Sequence, residues 1–320
     1  MREQETYKAA FSGVKAPADA AQKALARLQS EPVPPRRAAR YLRRTAAALA
    51  LAALLSVTAW AEMANGAVSN MLAPLYGGAQ TELVDHIGRP LNARASNGGY
   101  TVTADAIIGD RNTVYVVYTL RRDDGQPVPE YADFAEWENS IADRTGSNSR
   151  DSMPGENGTR VFVEECTGLT PLFGRSAVVT LTDLEEYDPV TGERTLVVPG
   201  EWKLRFTMRY EDTTETILAE GLTVTDTAGR AYTIKTLRLS ALGVSLDLTT
   251  EPFDANHPES ITDNFSVSVR MKDGTEAIFR TRNIGARSSG SVDYSAQFQT
   301  PCIKDTIEAI IIGDTEVPIN

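Results

Sequence analysis

The sequence predicts a mainly β chain: two antiparallel β-sandwich domains, preceded by one membrane-crossing helix and short N-terminal helices. Three observations lead there. Hydrophobic residues alternate with a period of two over several segments beyond residue 80. Turn dipeptides punctuate those segments at intervals typical of sandwiches. Charge divides sharply along the chain. Residues 1–44 hold ten Lys/Arg against four Asp/Glu, whereas residues 45–320 hold twenty-two against thirty-nine.

Taken in order, residues 1–44 read as a helical segment with a proline linker. Tyr7, Ala10, Phe11 and Val14 fall at i, i+3, i+4 and i+7, one stripe of an amphipathic helix. Ala21, Ala24, Leu25 and Leu28 repeat the spacing after Gly13 and Pro17 interrupt it. Glu31-Pro32-Val33-Pro34-Pro35 then forms a stiff, extended spacer. Helices this short bury too little to hold themselves in water, so they await a partner groove or remain a solvated tail.

The run from Thr45 to Ala61 carries no charge, and extended to Ala64 (Glu62 its one charge) it has the roughly 30 Å length of one hydrocarbon thickness. Arg36, Arg37, Arg40, Arg43 and Arg44 crowd its N-terminal edge, and no Lys or Arg follows before Arg89. Positive-inside bias places the N-terminus in the cytoplasm and the rest outside, with Trp60 at an interface. A cleaved signal peptide is the rival, since Ala59-Trp60-Ala61 has a small-x-small pattern. The long, patterned segment ahead of the apolar run favours a retained anchor.

The exported region divides near residues 218–224, giving a β domain over 65–220 and a sandwich over 221–320. In the first, Tyr100, Val102, Ala104 and Ala106 alternate with polar neighbours, as do Trp202, Leu204, Phe206, Met208 and Tyr210. The polar stretch 123–160 reads as a long loop with a short helix around Tyr131–Ile141. In the second, Phe265, Val267, Val269 and Met271 alternate similarly, and six or so strands are expected. Asp123-Asp124-Gly125, Thr191-Gly192, Ala228-Gly229 and Asp273-Gly274 mark turns.

Chemistry is sparse. An acidic long portion argues against nucleic-acid binding, which needs a basic face. His86 and His257 sit in no nucleophile motif, and no phosphate loop or dinucleotide fingerprint appears, so an enzyme is not expected. No cofactor is implied, and metal ligation through His or Cys has too few candidates. The acidic cluster Asp183, Glu185, Glu186 and Asp188 reads as a solvated turn, its spacing matching no calcium loop. Cys166 and Cys302 either form one disulfide in an exported region or are two separate buried thiols.

Asn97-Gly-Gly-Tyr-Thr-Val-Thr-Ala-Asp-Ala-Ile-Ile-Gly-Asp110, followed by Thr113-Val-Tyr-Val-Val-Tyr-Thr-Leu120, resembles membrane-anchored bacterial proteins carrying the domain of unknown function 4179. The segment Gly221–Leu248 resembles the immunoglobulin-like domain of unknown function 5643 that often follows it. The N-terminal stretch around Tyr7, Phe11, Val14 and Leu25 is similar to cytoplasmic helices of these proteins and of several anti-sigma factors. The resemblance implies a single-pass regulator, anti-sigma-factor-like, whose stripes Tyr7/Phe11/Val14 and Leu25/Leu28 bind a cytoplasmic sigma factor. The exported region would then meet an extracellular ligand or wall component. The His-then-C-x-x-C zinc module of many anti-sigma factors is absent from the sequence. A surface-binding or structural protein with an inert tail is the alternative.

Overall fold

The computed structural model describes residues 67–78, 81–141, 147–168, 170–217, 220–252 and 264–319. All lie in the compact unit Trp60–Asn320. The stripe residues Tyr7, Phe11, Val14, Leu25 and Leu28, the arginines Arg36 to Arg44, the span 45–64 with Trp60, and His257 lie outside the described residues. Among the described residues no helix is long and apolar enough to cross a membrane.

Three short helices come first: α1 (Ala67–Met71), α2 (Ala73–Tyr76) and α3 (Thr81–Ile87). Eight strands follow: β1 (Arg89–Asn97), β2 (Tyr100–Gly109), β3 (Thr113–Arg122), β4 (Ala132–Asn139), β5 (Asn148–Pro154), β6 (Arg160–Thr167), β7 (Ser176–Tyr187) and β8 (Arg194–Thr207). They form two antiparallel sheets, β1-β2-β3-β6-β5 and β4-β7-β8. The sheets face each other across one apolar core holding Val102, Tyr118, Phe162, Leu181 and Trp202. Phe134 meets Trp202 edge-on, centroids 5.2 Å apart, a favoured aromatic geometry.

The helix expected around Tyr131–Ile141 is instead strand β4, and the expected loop 123–160 contains β4 and β5. The reason is tertiary. Phe134 and the half-buried Trp137 pack with Phe162 in the core while β4 pairs with β7, so burial overrides the helix-compatible Ala/Glu composition.

A second departure concerns faces. The alternation in β2 predicts one wet face, yet nine of its ten residues are buried. A bulge at Asp105 interrupts the pairing of β2 with β3. Before it Tyr100, Val102 and Ala104 face the inter-sheet core; beyond it Ala106 and Ile108 turn to the opposite face. There α1–α3 cover the sheet, with Val68, Leu72, Val84 and Ile87 packing on Ile108, Tyr115 and Val117. Ala106 therefore sits on the face opposite to Tyr100, because an inserted residue reverses a period of two.

The remaining strands are β9 (Glu215–Ile217), β10 (Thr223–Thr225), β11 (Ala231–Leu239), β12 (Gly243–Thr249), β13 (Val267–Met271), β14 (Phe279–Ala286), β15 (Ser291–Phe298), β16 (Ile307–Ile312) and β17 (Thr315–Pro318). One sheet runs β10-β11-β12-β15-β14, with β9 also on β11; the other is β13-β16-β17. Residues 222–320 thus supply eight strands among the described residues, more than the six or so expected. The extra ones are the three- and four-residue strands β10 and β17, too short to show a period. Tyr232, Leu246, Tyr294, Val269 and Ile310 fill the core between these sheets. All four turn signals fall between strands, and Gly125, Gly192, Gly229 and Gly274 have positive φ.

The two thiols are free. Cys166 is buried in the first core, whereas Cys302 packs against the second. The disulfide left open by the sequence is not formed, because each cysteine serves a different core. Burial raises the Cys166 thiol well above its ordinary range and pushes Cys302 up to about 11.

Candidate functional site

The two sandwich-like halves meet at a short joint built on Asp110. Its carboxylate accepts the backbone N–H groups of Asn112 (3.0 Å) and Thr113 (2.8 Å), an Asx turn closing β2 onto β3. The same carboxylate accepts the Ser240 hydroxyl from the other half at 3.0 Å. Beside it, the Gln297 amide donates to the Thr113 hydroxyl at 3.0 Å. Ala241 and Leu242, at the β11–β12 turn, extend the apolar cluster beneath the helices. Arg280 of β14 donates to the Leu75 carbonyl and lies over the Tyr76 ring, 5.5 Å from its centroid. Burial raises the Asp110 carboxyl above its usual value, against the lowering effect of its three donors.

Next to the joint lies a cleft of about 460 Å³, within the roughly 300–1,000 Å³ of small-ligand sites. Its floor is the outer face of the β11-β12-β15-β14 sheet. The ladder register sets Arg238, Ser245, Ser295 and Asn283 side by side in one row. The next row holds Thr236, Asp247, Asp293 and Gly285. Thr236 and Arg238 join these rows, away from the second core, because a bulge in β11 between Ile234 and Thr236 resets the parity of that strand. Its wall comes from the first half: Arg111 and Asn112 of the β2–β3 turn, with Thr167, Gly168 and Pro171.

The electrostatics are specific. Arg238 pairs with Asp247 at 3.0 Å and Arg287 with Asp293 at 2.8 Å, so the floor is internally neutralised. Arg111 makes no ion pair among the described residues; its backbone N–H donates to the Thr214 hydroxyl and its carbonyl accepts the Leu172 N–H, which fixes the turn. Asn112 donates to the Gly168 carbonyl at 2.8 Å and fixes the wall. Among the described residues the cleft presents hydroxyls, an amide and one guanidinium outside any ion pair.

Other sequence candidates lie elsewhere. His86 is exposed on α3, away from the cleft. The acidic cluster serves the β7–β8 hairpin: Asp183 accepts the Gly200 N–H, Glu185 pairs with Arg194, and Asp188 caps the turn at Val190. Sequence reasoning missed Arg111, Arg238, Asn283 and Asp293. The Asp110–Thr113 turn was visible as the end of a quoted motif, but nothing local connects it to strands more than a hundred residues later.

The arrangement defines a mainly β, sandwich-like protein with a polar cleft between its halves. No family model matches the chain. No curated protein matches it either. A solved structure described as "the crystal structure of the conserved domain protein from Bacillus anthracis" is similar, with a TM-score of 0.51 and 13% identity. The match covers 70% of this chain and 76% of that one, a likeness of fold alone.

Proposed function

We propose that the chain is a non-enzymatic, single-pass membrane regulator, anti-sigma-factor-like, linking the cell envelope to a cytoplasmic sigma factor. One observation carries this reading: five arginines abut an uncharged run of membrane-spanning length, and the long acidic β region follows it. In this reading residues 1–44 are cytoplasmic, 45–64 lie in membrane lipid, and two β domains, 65–220 and 221–320, the second immunoglobulin-like, are extracellular. Tyr7, Phe11, Val14, Leu25 and Leu28 would cover an apolar surface of the sigma factor. Ligand or wall component would act at the cleft, biasing two states that differ in affinity for the partner. The cleft also favours a second reading, a cell-surface binding protein with no signalling role.

The test uses the full chain in its host. Val190, at a hairpin tip and 90% exposed, becomes a reporter as Val190→Cys. An impermeant maleimide should label it on intact cells while an N-terminal tag stays protected from added protease. A sigma factor should co-purify with the wild type and be lost with Phe11→Asp or Leu25→Asp. A shielded Val190→Cys rejects the topology. Correct topology with no sigma factor retained leaves the surface-binding reading.

A further inference from the structure

The cleft has a chemistry of its own, and we infer that it binds a short peptide through its free C-terminal carboxylate, with Arg111 as the anion contact. The inference rests on the cleft assigned above and is independent of the membrane tether.

Four observations converge. First, among the described residues Arg111 is the one guanidinium of the cleft without a carboxylate: Arg238 and Arg287 are held by Asp247 and Asp293. A planar guanidinium takes a carboxylate in a two-bond fork, so a ligand with one negative charge completes the balance. Second, the surroundings are amide-like in their needs. Asn283, Ser245 and Ser295 offer donors and acceptors in one row across the floor, matching peptide N–H and C=O groups.

Third, the site lacks a sugar platform. Among the described residues the single aromatic lining it is Tyr294, which is 3% exposed and belongs to the second core. A saccharide would find no exposed ring on which to stack. Fourth, the floor leaves room for backbone. At Gly285 a Cβ would meet only Asp293 atoms, at 3.8 and 4.0 Å, so a chain can lie close without clash. Wall and floor come from different halves, so such a ligand would bridge them across the Asp110–Ser240 joint.

The experiment titrates full-length protein, purified in detergent, with pooled random tripeptides as free acids, the same pool as C-terminal amides, and glucuronate. Binding is read by calorimetry and by the thermal unfolding midpoint. Saturable binding of the acids, at least tenfold weaker for the amides, is expected. Arg111→Ala should weaken the acids about tenfold or more and remove the acid–amide difference. Gly285→Trp should abolish binding with an unchanged unfolding midpoint in the absence of peptide, which separates blockage from misfolding. Equal binding of acids and amides, no binding of either, or Arg111-dependent binding of glucuronate in preference to peptide would overturn the inference. None of these outcomes depends on membrane topology or on a sigma factor, so failure here is distinct from failure of the regulatory reading.

Discussion

Glu164 is buried beside the first core, 1% exposed. Its carboxylate accepts Tyr118 Oη at 2.8 Å, Trp137 Nε1 at 2.9 Å and Asn139 Nδ2 at 2.6 Å. Arg150 sits over the Trp137 ring at 4.3 Å and pairs with Asp133, closing the polar network toward solvent. Burial raises the Glu164 carboxyl above its ordinary value although all three donors favour the anion. A folded-state pKa above the unfolded one means that the folded protein binds more protons between the two. The contribution of Glu164 to stability is therefore fully present below the unfolded value and declines as pH rises through the folded one. Glu164→Gln keeps one oxygen for Trp137 and Asn139 but replaces the acceptor of the Tyr118 hydroxyl with an N–H₂, and we expect a loss of about 1–3 kcal/mol near neutral pH. Denaturant melts from pH 4 to 8 should also show a flatter pH dependence in the variant, though Asp105, Asp110 and Glu165, raised by burial likewise, will keep part of it.

At the scale of elements, turns and bulges decide which faces meet. The β1–β2 hairpin closes through Gly98 and Gly99, both at positive φ, with Asn97 paired to Tyr100. Such a two-residue turn requires φ > 0 at both central positions. Gly98 carries a further constraint: a Cβ there would lie 2.1 Å from Val198 Cγ1 of β8. Gly98→Ala combines an unfavourable φ with that clash and should destabilise by about 2–4 kcal/mol, measured as a shift in chemical-denaturation midpoint. Gly99→Ala, with open space around its Cβ, meets only the backbone cost and should lose about 1–2 kcal/mol. The signature of this turn, Asn97-Gly98-Gly99, is local, although the turns read from the sequence do not include it; its contact with β8 is not local, since Val198 is a hundred residues away. The bulges at Asp105 and Asp183 were equally hidden, because an aspartate in a strand pattern gives no local sign that the register slips there.

At the scale of the whole molecule, two cores are joined by a handful of polar bonds and an apolar cluster beneath the helices. The Ser240 hydroxyl donates to Asp110 across the joint and accepts the N–H groups of Leu242 and Gly243 within its own turn. Ser240→Ala removes all three while leaving the Asp110 carboxylate its two backbone donors. We expect a loss of about 1–3 kcal/mol. Calorimetry should then resolve two transitions where the wild type gives one, since a weakened joint uncouples the cores. A single transition shifted downward would show instead that the helices and their apolar contacts carry the coupling.

The amino-acid sequence alone determined the mainly β class, the turn positions and the charge division around an uncharged run, because these follow from local period, turn chemistry and composition. The tertiary structure decided the rest: β4 as a strand, the second buried face of the first sheet, two separate thiols, and the cleft. Each of those depends on partners distant along the chain. Burial against Phe162 outweighs helix propensity, helices sequester a face that alternation alone would leave wet, and Arg111 and Asn283 line one cleft because the joint around Asp110 and Ser240 holds two halves together.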